Sequence, residues 1–137
     1  MKPFIFTFAI LLFSCHKNES GNSVMKINNN AIEKIEALKQ KEKFKEDSTI
    51  FYPGAINEVT RASLNKLMNE SIDEIVKVLN NKSSKENILE QYKVGLARFS
   101  SLNLDTEDRE RVCKYYDEIR EIIGFDSTEN VLNDWLY

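Results

Sequence analysis

Residues Asp105–Gly124 read DTEDRERVCKYYDEIREIIG. Asp105 is a residue type that caps helix N-termini. Gly124 suits the position just past a helix end, where the backbone takes a positive φ. Between them the apolar residues recur at steps of three and four, as one buried helix face requires: Val112, Tyr115, Tyr116, Ile119, Ile122 and Ile123. The sequence therefore predicts a helix over 106–123.

The same spacing recurs along the rest of the chain. It predicts helices over 30–44 and 57–80, the second with an apolar face that starts at Ile56. A third helix begins at the capping box Ser83–Glu86, and a short fifth helix begins at Asp126–Glu129. No useful β-alternation appears, and the short links imply antiparallel neighbours. The predicted fold is all-α, a compact bundle of four to five helices.

Two positions leave alternatives open. Ser71–Glu74 also matches a capping box, which would break the second helix, although the unbroken apolar phase favours one continuous helix. Gly95 lies on the apolar face of the third helix, where Gly costs about 1 kcal/mol relative to Ala. A close helix–helix approach is the favoured explanation, and a small pocket opposite Tyr92 and Phe99 is the alternative.

Composition excludes several classes of protein. The chain has 137 residues, which suits one domain, and its net charge of −3 argues against nucleic-acid binding. With four Gly and two Pro it lacks the turn residues of a sandwich or barrel.

The N-terminal residues are predicted to be a signal peptide. Lys2 precedes the apolar run Phe4–Phe13, which is too short to cross a bilayer core of about 30 Å. Leu12–Cys15 then resembles the lipobox of bacterial lipoproteins. That resemblance implies cleavage before Cys15, its acylation by fatty acids such as palmitate, and attachment through more than one acyl chain. His16 at the next position, where Asp would signal retention, favours the outer membrane of the bacterial envelope.

The predicted organisation therefore has three parts: a signal peptide over 1–14, the lipidated Cys15 with a flexible polar tether over 15–30, and a helical domain over 31–137. An ordinary secretory signal with a coincidental Cys is the alternative.

Catalytic and metal sites are not predicted. Once Cys15 carries lipid, Cys113 has no disulfide partner and is predicted to be a small buried hydrophobe. The single His lies beside the lipidation site, so no nucleophile–base pair forms. The acids around 103–114 lack the Gly and Glu of an EF-hand. We expect no cofactor, no metal and no enzymatic activity.

Candidate binding residues lie on two parts of the chain. Asp108 and Arg109 extend the buried face of the fourth helix, so they either pair within the bundle or face a partner, and pairing is favoured. The surface predicted for binding combines Tyr52, Asp108, Arg111 and Trp135, with the two aromatic side chains expected to be exposed. A core position for Trp135 is the competing interpretation.

The C-terminal block resembles a known family. Residues 105–113 form the pattern DxEDRxRxC, IIG follows at 122–124, and LNxWLY ends the chain at 132–137. The likeness extends back through Tyr52–Gly54 and is to small helical domains of unknown function from Gram-negative bacteria. It implies a fold and a compartment but no chemistry.

These observations favour a membrane-anchored, non-enzymatic protein-binding module that is monomeric. An inhibitor or immunity-type protein that neutralises a toxin or hydrolase is the first alternative. A structural envelope lipoprotein is the second, although one long helix would suit that role better than a bundle.

Overall fold

The computed structural model describes residues 27, 30–82, 84–125 and 130–137. Within these ranges the chain forms five α-helices: α1 Ala31–Gln40, α2 Glu58–Asn80, α3 Lys85–Ser100, α4 Thr106–Ile123 and α5 Val131–Leu136. The described residues contain no strand, only an isolated antiparallel bridge between Asp47 and Tyr52. The prediction of an all-α bundle is confirmed.

The signal peptide, Cys15 and His16 lie outside the described residues, as do Ser83 of the predicted capping box and the predicted start of the fifth helix, Asp126–Glu129. Ile27, which the sequence places in the tether, is half-buried and packs against the core. The packed part of the chain therefore begins before Ala31. Within the described ranges, none of the helices combines the length and the apolar character that a membrane span needs.

The ends of α4 lie where local chemistry predicts them. The Asp105 side chain accepts a hydrogen bond from the Asp108 backbone N–H at 2.8 Å. This bond satisfies one of the amide groups that a helix N-terminus leaves unpaired. At the other end, Gly124 has φ +68° and closes the helix in the left-handed conformation.

The second helix is continuous through Ser71, as its unbroken apolar phase predicts. Its N-cap is Asn57, whose side chain accepts a hydrogen bond from the Thr60 N–H at 2.8 Å. Ile56 was predicted to start its buried face, and this is wrong. Ile56 precedes the cap, outside the helical register, and its side chain is exposed.

The first helix is shorter than predicted. It ends at Gln40 instead of continuing to residue 44, because Lys41 is extended and Phe44 has φ +59°. The Phe44 ring enters the core and meets the Tyr115 ring edge-to-face at 5.2 Å. Burial of this ring is worth about 1.5–3 kcal/mol, which exceeds what four more residues of surface helix would contribute.

The direction of the helices places the N-terminal chain and Tyr52 at opposite ends. Lys43 bonds Asn69 and Lys39 pairs with Asp73, so α1 runs antiparallel to α2. Lys41 then pairs with Glu118, and Tyr52 reaches Asp108, ten residues nearer the start of α4. At a rise of about 1.5 Å per residue along α4, these two contacts are about 15 Å apart. The ten residues of α1 extend about 15 Å further from Tyr52.

Gly95 marks a close approach between helices, as the favoured explanation predicted. A Cβ atom there would meet the Tyr116 hydroxyl at less than 3.0 Å, with Ser71 Oγ at 3.2 Å. Side chains from α2 and α4 thus fill the space beside the α3 backbone.

Candidate functional site

Residues 44–55, between α1 and α2, form a narrow hairpin that we call the arm. Near its base the Ala55 N–H donates to the Phe44 carbonyl at 3.1 Å, and Asp47 and Tyr52 exchange two backbone hydrogen bonds at 2.9 and 3.0 Å. Gly54 has φ +84°, and a Cβ there would lie 2.9 Å from the Glu46 nitrogen. Only glycine therefore lets the two limbs approach so closely.

The tip of the arm, Ser48–Phe51, is a tight turn. The Asp47 carboxylate accepts hydrogen bonds from the Thr49 backbone N–H at 3.2 Å and from the Thr49 hydroxyl at 2.6 Å. These hydrogen bonds, with a smaller contribution from Arg111, hold the pKa of the Asp47 carboxyl below its usual range. The ionised Asp47 carboxylate thus stabilises the turn at the arm tip.

A buried polar pair fixes the arm to α4. The Tyr52 hydroxyl donates to the Asp108 carboxylate at 2.5 Å, and the Tyr52 side chain is only 4% exposed. Burial raises the pKa of the Asp108 carboxyl, and the hydrogen bond from Tyr52 offsets part of that rise. Burial, followed by the Asp108 hydrogen bond, raises the pKa of Tyr52 far above its ordinary value. Tyr52 therefore stays protonated and donates at any physiological pH.

Arg111 forms a second connection between the arm and α4. Its guanidinium lies 3.4 Å from the Asp47 carboxylate and donates from Nε to the Tyr115 hydroxyl at 3.1 Å. The cation also stacks near the rings of Tyr52 and Tyr115, at 5.4 and 4.9 Å from their centroids. The Tyr115 hydroxyl further accepts the Phe44 backbone N–H at 3.1 Å. The guanidinium of Arg111 therefore finds its polar partners within the protein.

The predicted binding surface is thus only partly assembled. The structure brings together Tyr52, Asp108 and Arg111, but their polar groups face one another, and the expected exposure of Tyr52 is wrong. The reason is that α4 presents an acceptor, Asp108, to a hydroxyl 56 positions earlier in the chain. Pairing of Asp108 within the bundle, favoured from the sequence, is what the structure shows.

Trp135 lies in a different cluster and holds α5 in place. Its ring is half-buried, meets Phe99 edge-to-face at 6.5 Å, and donates from Nε1 to the Ser100 hydroxyl at 2.8 Å. The Arg109 guanidinium lies 4.9 Å from the indole and donates to the Trp135 carbonyl. The core position, the competing interpretation for Trp135, describes these contacts better than an exposed anchor does.

The residue that the sequence reasoning missed is Phe51. Its side chain is 93% exposed at the arm tip, and its backbone has φ +56°, a left-handed conformation that is uncommon for a bulky residue. Ile50 beside it is 48% exposed. The available signal was an apolar Ile-Phe pair inside a segment that otherwise reads as a connection.

A cleft of about 320 Å³ lies between this tip and α4. One wall is formed by Ile50, Phe51 and Tyr52 of the arm. The other wall consists of charged side chains of α4: Glu107, Glu110, Arg111 and Lys114. The cleft therefore has a largely apolar wall on the arm and a charged wall on α4.

Lys43, at the base of the arm, is a second feature that the sequence did not reveal. Its fully buried ammonium donates to the carbonyls of Lys39 and Lys41 at 2.8 and 2.9 Å and to the Asn69 side chain at 2.8 Å. It thereby satisfies carbonyl groups at the end of α1. Burial lowers the pKa of Lys43 to about 8, and nearby Lys41 adds to the effect.

Cys113 and clusters of metal-ligand side chains are the remaining candidates for chemistry. Cys113 is half-buried beside the Leu132 carbonyl, and burial raises the pKa of its thiol to about 11. A thiol of this kind is a poor nucleophile. Among the described residues, no group of three or more His, Cys, Asp or Glu side chains is close enough to hold a metal ion.

Comparisons with known proteins agree with this fold. The profile of a domain of unknown function, DUF4844, matches residues 26–137. A crystal structure of a DUF3571 family protein from Acinetobacter baumannii AYE, at 1.95 Å resolution, is similar with a TM-score of 0.71 and 28% identity. The alignment covers 78% of this chain and 88% of that chain. No curated protein matches. Since the profile spans the whole helical part, the chain belongs to the DUF4844 family of domains of unknown function.

Proposed function

We propose that the protein is a lipid-anchored, non-enzymatic protein-binding module of the bacterial envelope. The anchor is supported by the apolar run Phe4–Phe13 and the lipobox-like Leu12–Cys15. The observation that carries the binding function is Phe51, an exposed aromatic side chain on an arm that internal contacts hold in place.

The exposure of Phe51 works against stability, which is why it supports a role in binding. A buried Phe side chain contributes about 1.5–3 kcal/mol, and Phe51 forgoes this contribution. Its left-handed backbone costs about 1–2 kcal/mol more. Backbone conformations of this kind concentrate at functional sites, and buried aromatic side chains are common at the centres of protein interfaces.

The direction of the chain supports an anchored module. The packed N-terminal residues and the Tyr52 end of the arm are roughly 30 Å apart along the bundle, on the helix rises given above. A tether that begins at Cys15 would therefore join the bundle at the end opposite to the one that carries Phe51.

The polar contacts of the arm support a non-enzymatic role. A general acid–base residue must reach the reacting group of a substrate. Asp108, the buried carboxyl with a raised pKa, is instead bonded to Tyr52, and Arg111 is bonded to Asp47 and Tyr115. These groups stabilise the position of the arm.

The test is capture of envelope proteins by the full chain immobilised through its N-terminal part. We expect Phe51→Ser to reduce capture strongly, while Val94→Ser leaves it unchanged. Val94 is the control, since its apolar side chain is 42% exposed on α3 and does not line the cleft beside the arm tip. Far-UV circular dichroism should be the same for all three proteins. Equal capture by wild type and Phe51→Ser would contradict the proposal, and reproducible turnover of a substrate would replace it with an enzyme.

A further inference from the structure

We propose that the arm tip and the first half of α4 form a docking site for a cationic protein partner. The partner would cover Phe51 with an apolar pocket and place lysine or arginine side chains against Glu107 and Glu110. This inference rests on the proposed binding function and adds the place of contact and the chemistry of the partner.

The apolar part of the site is small and well defined. Ile50 and Phe51 form the edge of the cleft, and α4 forms its opposite wall. One large aromatic side chain beside a partly exposed aliphatic one matches the usual arrangement of a binding hot spot, in which few residues at the centre carry most of the energy.

The arm is also held in one conformation before any partner binds. Asp47 closes the tip, while Tyr52 and Arg111 fix the arm to α4. A preformed site loses little conformational entropy on binding, so more of the contact energy remains as affinity.

The charge around the cleft selects the partner. The exposed carboxylates of Glu107 and Glu110, which line the cleft, have no ion pair within 4 Å in the described part of the chain. Of the two cations in the cleft wall, Arg111 is already paired with Asp47. Lys114 is therefore the cation of the cleft wall that is left to balance this excess of negative charge.

Charge also argues against two other occupants. A second copy of this chain would bring the same carboxylates together, and like charges at an interface suppress association. Anionic lipid headgroups would be repelled for the same reason. A protein surface rich in lysine and arginine is attracted, and this steering weakens as salt screens it.

The experiment places a photoreactive residue, p-benzoylphenylalanine, at position 51 of the full-length chain in the bacterium that encodes it. Irradiation joins this residue to whatever covers the tip, and mass spectrometry identifies the joined peptide. We expect a protein adduct whose cross-linked surface carries net positive charge. The double change Glu107→Gln with Glu110→Gln should lower the adduct yield several-fold, whereas Glu33→Gln with Glu90→Gln, a matched change of exposed acids on α1 and α3, should not.

An adduct with lipid, with a second copy of this chain or with an acidic surface would overturn the inference. A yield that does not depend on Glu107 and Glu110 would also overturn it. If position 51 gives a protein adduct whose yield does not change in the Glu107→Gln with Glu110→Gln variant, this inference fails and the binding function carried by Phe51 stands. If position 51 gives no protein adduct, the binding function proposed for Phe51 fails as well.

Discussion

Replacing Gly95 with Ala is expected to destabilise the bundle, although Ala is the better helix former. On propensity alone the change should stabilise α3 by about 1 kcal/mol. The added Cβ would, however, lie closer than 3.0 Å to the Tyr116 hydroxyl, a separation that real Cβ atoms do not show. The hydroxyl cannot swing aside easily, since Tyr116 is fully buried with its ring edge-to-face against Tyr92 at 5.0 Å.

The expected loss of stability follows from the cost of overpacking the core around Tyr116. Overpacking of a tight core costs about 1–3 kcal/mol, so after the gain in propensity we expect a net loss of up to about 2 kcal/mol. Removing the offending oxygen with Tyr116→Phe leaves Ser71 Oγ at 3.2 Å as a remaining neighbour of the new Cβ, and a small shift relieves that contact. In this background Gly95→Ala should be neutral or stabilising by up to about 1 kcal/mol.

The assay is a double-mutant cycle by urea unfolding of the soluble fragment 26–137. The four proteins should share one m-value, which shows that the comparison measures stability alone. We expect a coupling energy of about 1–3 kcal/mol between positions 95 and 116. Effects that add within about 0.5 kcal/mol, or a stabilising Gly95→Ala in the wild-type background, would refute the close approach.

Four further predictions concern the anchor and two buried charges. Cys15→Ala should abolish metabolic labelling with fatty acid and release the protein from the membrane or trap its precursor, and an acylated, anchored mutant would contradict the lipoprotein interpretation. Relative to Lys43→Met, the wild-type free energy of unfolding should rise between pH 8 and pH 10.5, because folded Lys43 loses its proton near pH 8 while the unfolded lysine keeps it to about 10.5. Urea unfolding of both proteins across that pH range measures this rise. Parallel stability curves for the two proteins would refute the prediction. Relative to Asp108→Asn, wild type should gain stability as pH falls through the raised pKa of the carboxyl, because the folded protein binds that proton more tightly than the unfolded chain. Asp108→Ala should cost about 1–3 kcal/mol, because it leaves the Tyr52 hydroxyl buried without its acceptor, and a neutral result would show that the arm is not fixed in this way.

The sequence predicts α4 well because both of its ends are set by local chemistry. Asp105 caps the first turn and Gly124 supplies the positive φ after the last one, and both signals lie within a few residues of the helix end that they define. Spacing also predicts the buried face of α2 between Leu64 and Leu79, although it wrongly adds Ile56, which precedes the cap. The glycine at 95 was recognised as a packing position, although only the structure shows that Tyr116 is its neighbour.

The arm could not be predicted because its contacts are distant in sequence. Tyr52 meets Asp108 across 56 positions, and Phe44 meets Tyr115 across 71. Periodicity alone predicts a first helix that continues through Lys43. It cannot show that the Lys43 ammonium folds back and binds the carbonyls at the helix end. Tyr52 is the aromatic residue that the sequence predicts to be exposed, but its side chain is buried, and the exposed ring is that of its neighbour, Phe51.

The arm is a preformed structure that holds Phe51 in solvent. Amide hydrogen exchange at Asp47 and Tyr52 tests this most directly, since these two amides donate the backbone hydrogen bonds that close the arm. We predict slow exchange at both positions in the free protein, and loss of this protection in Asp108→Ala while the amides of α2 stay protected. Exchange at Asp47 and Tyr52 as fast as in an unstructured peptide would contradict the claim, because Phe51 would then belong to a loop that the fold does not hold.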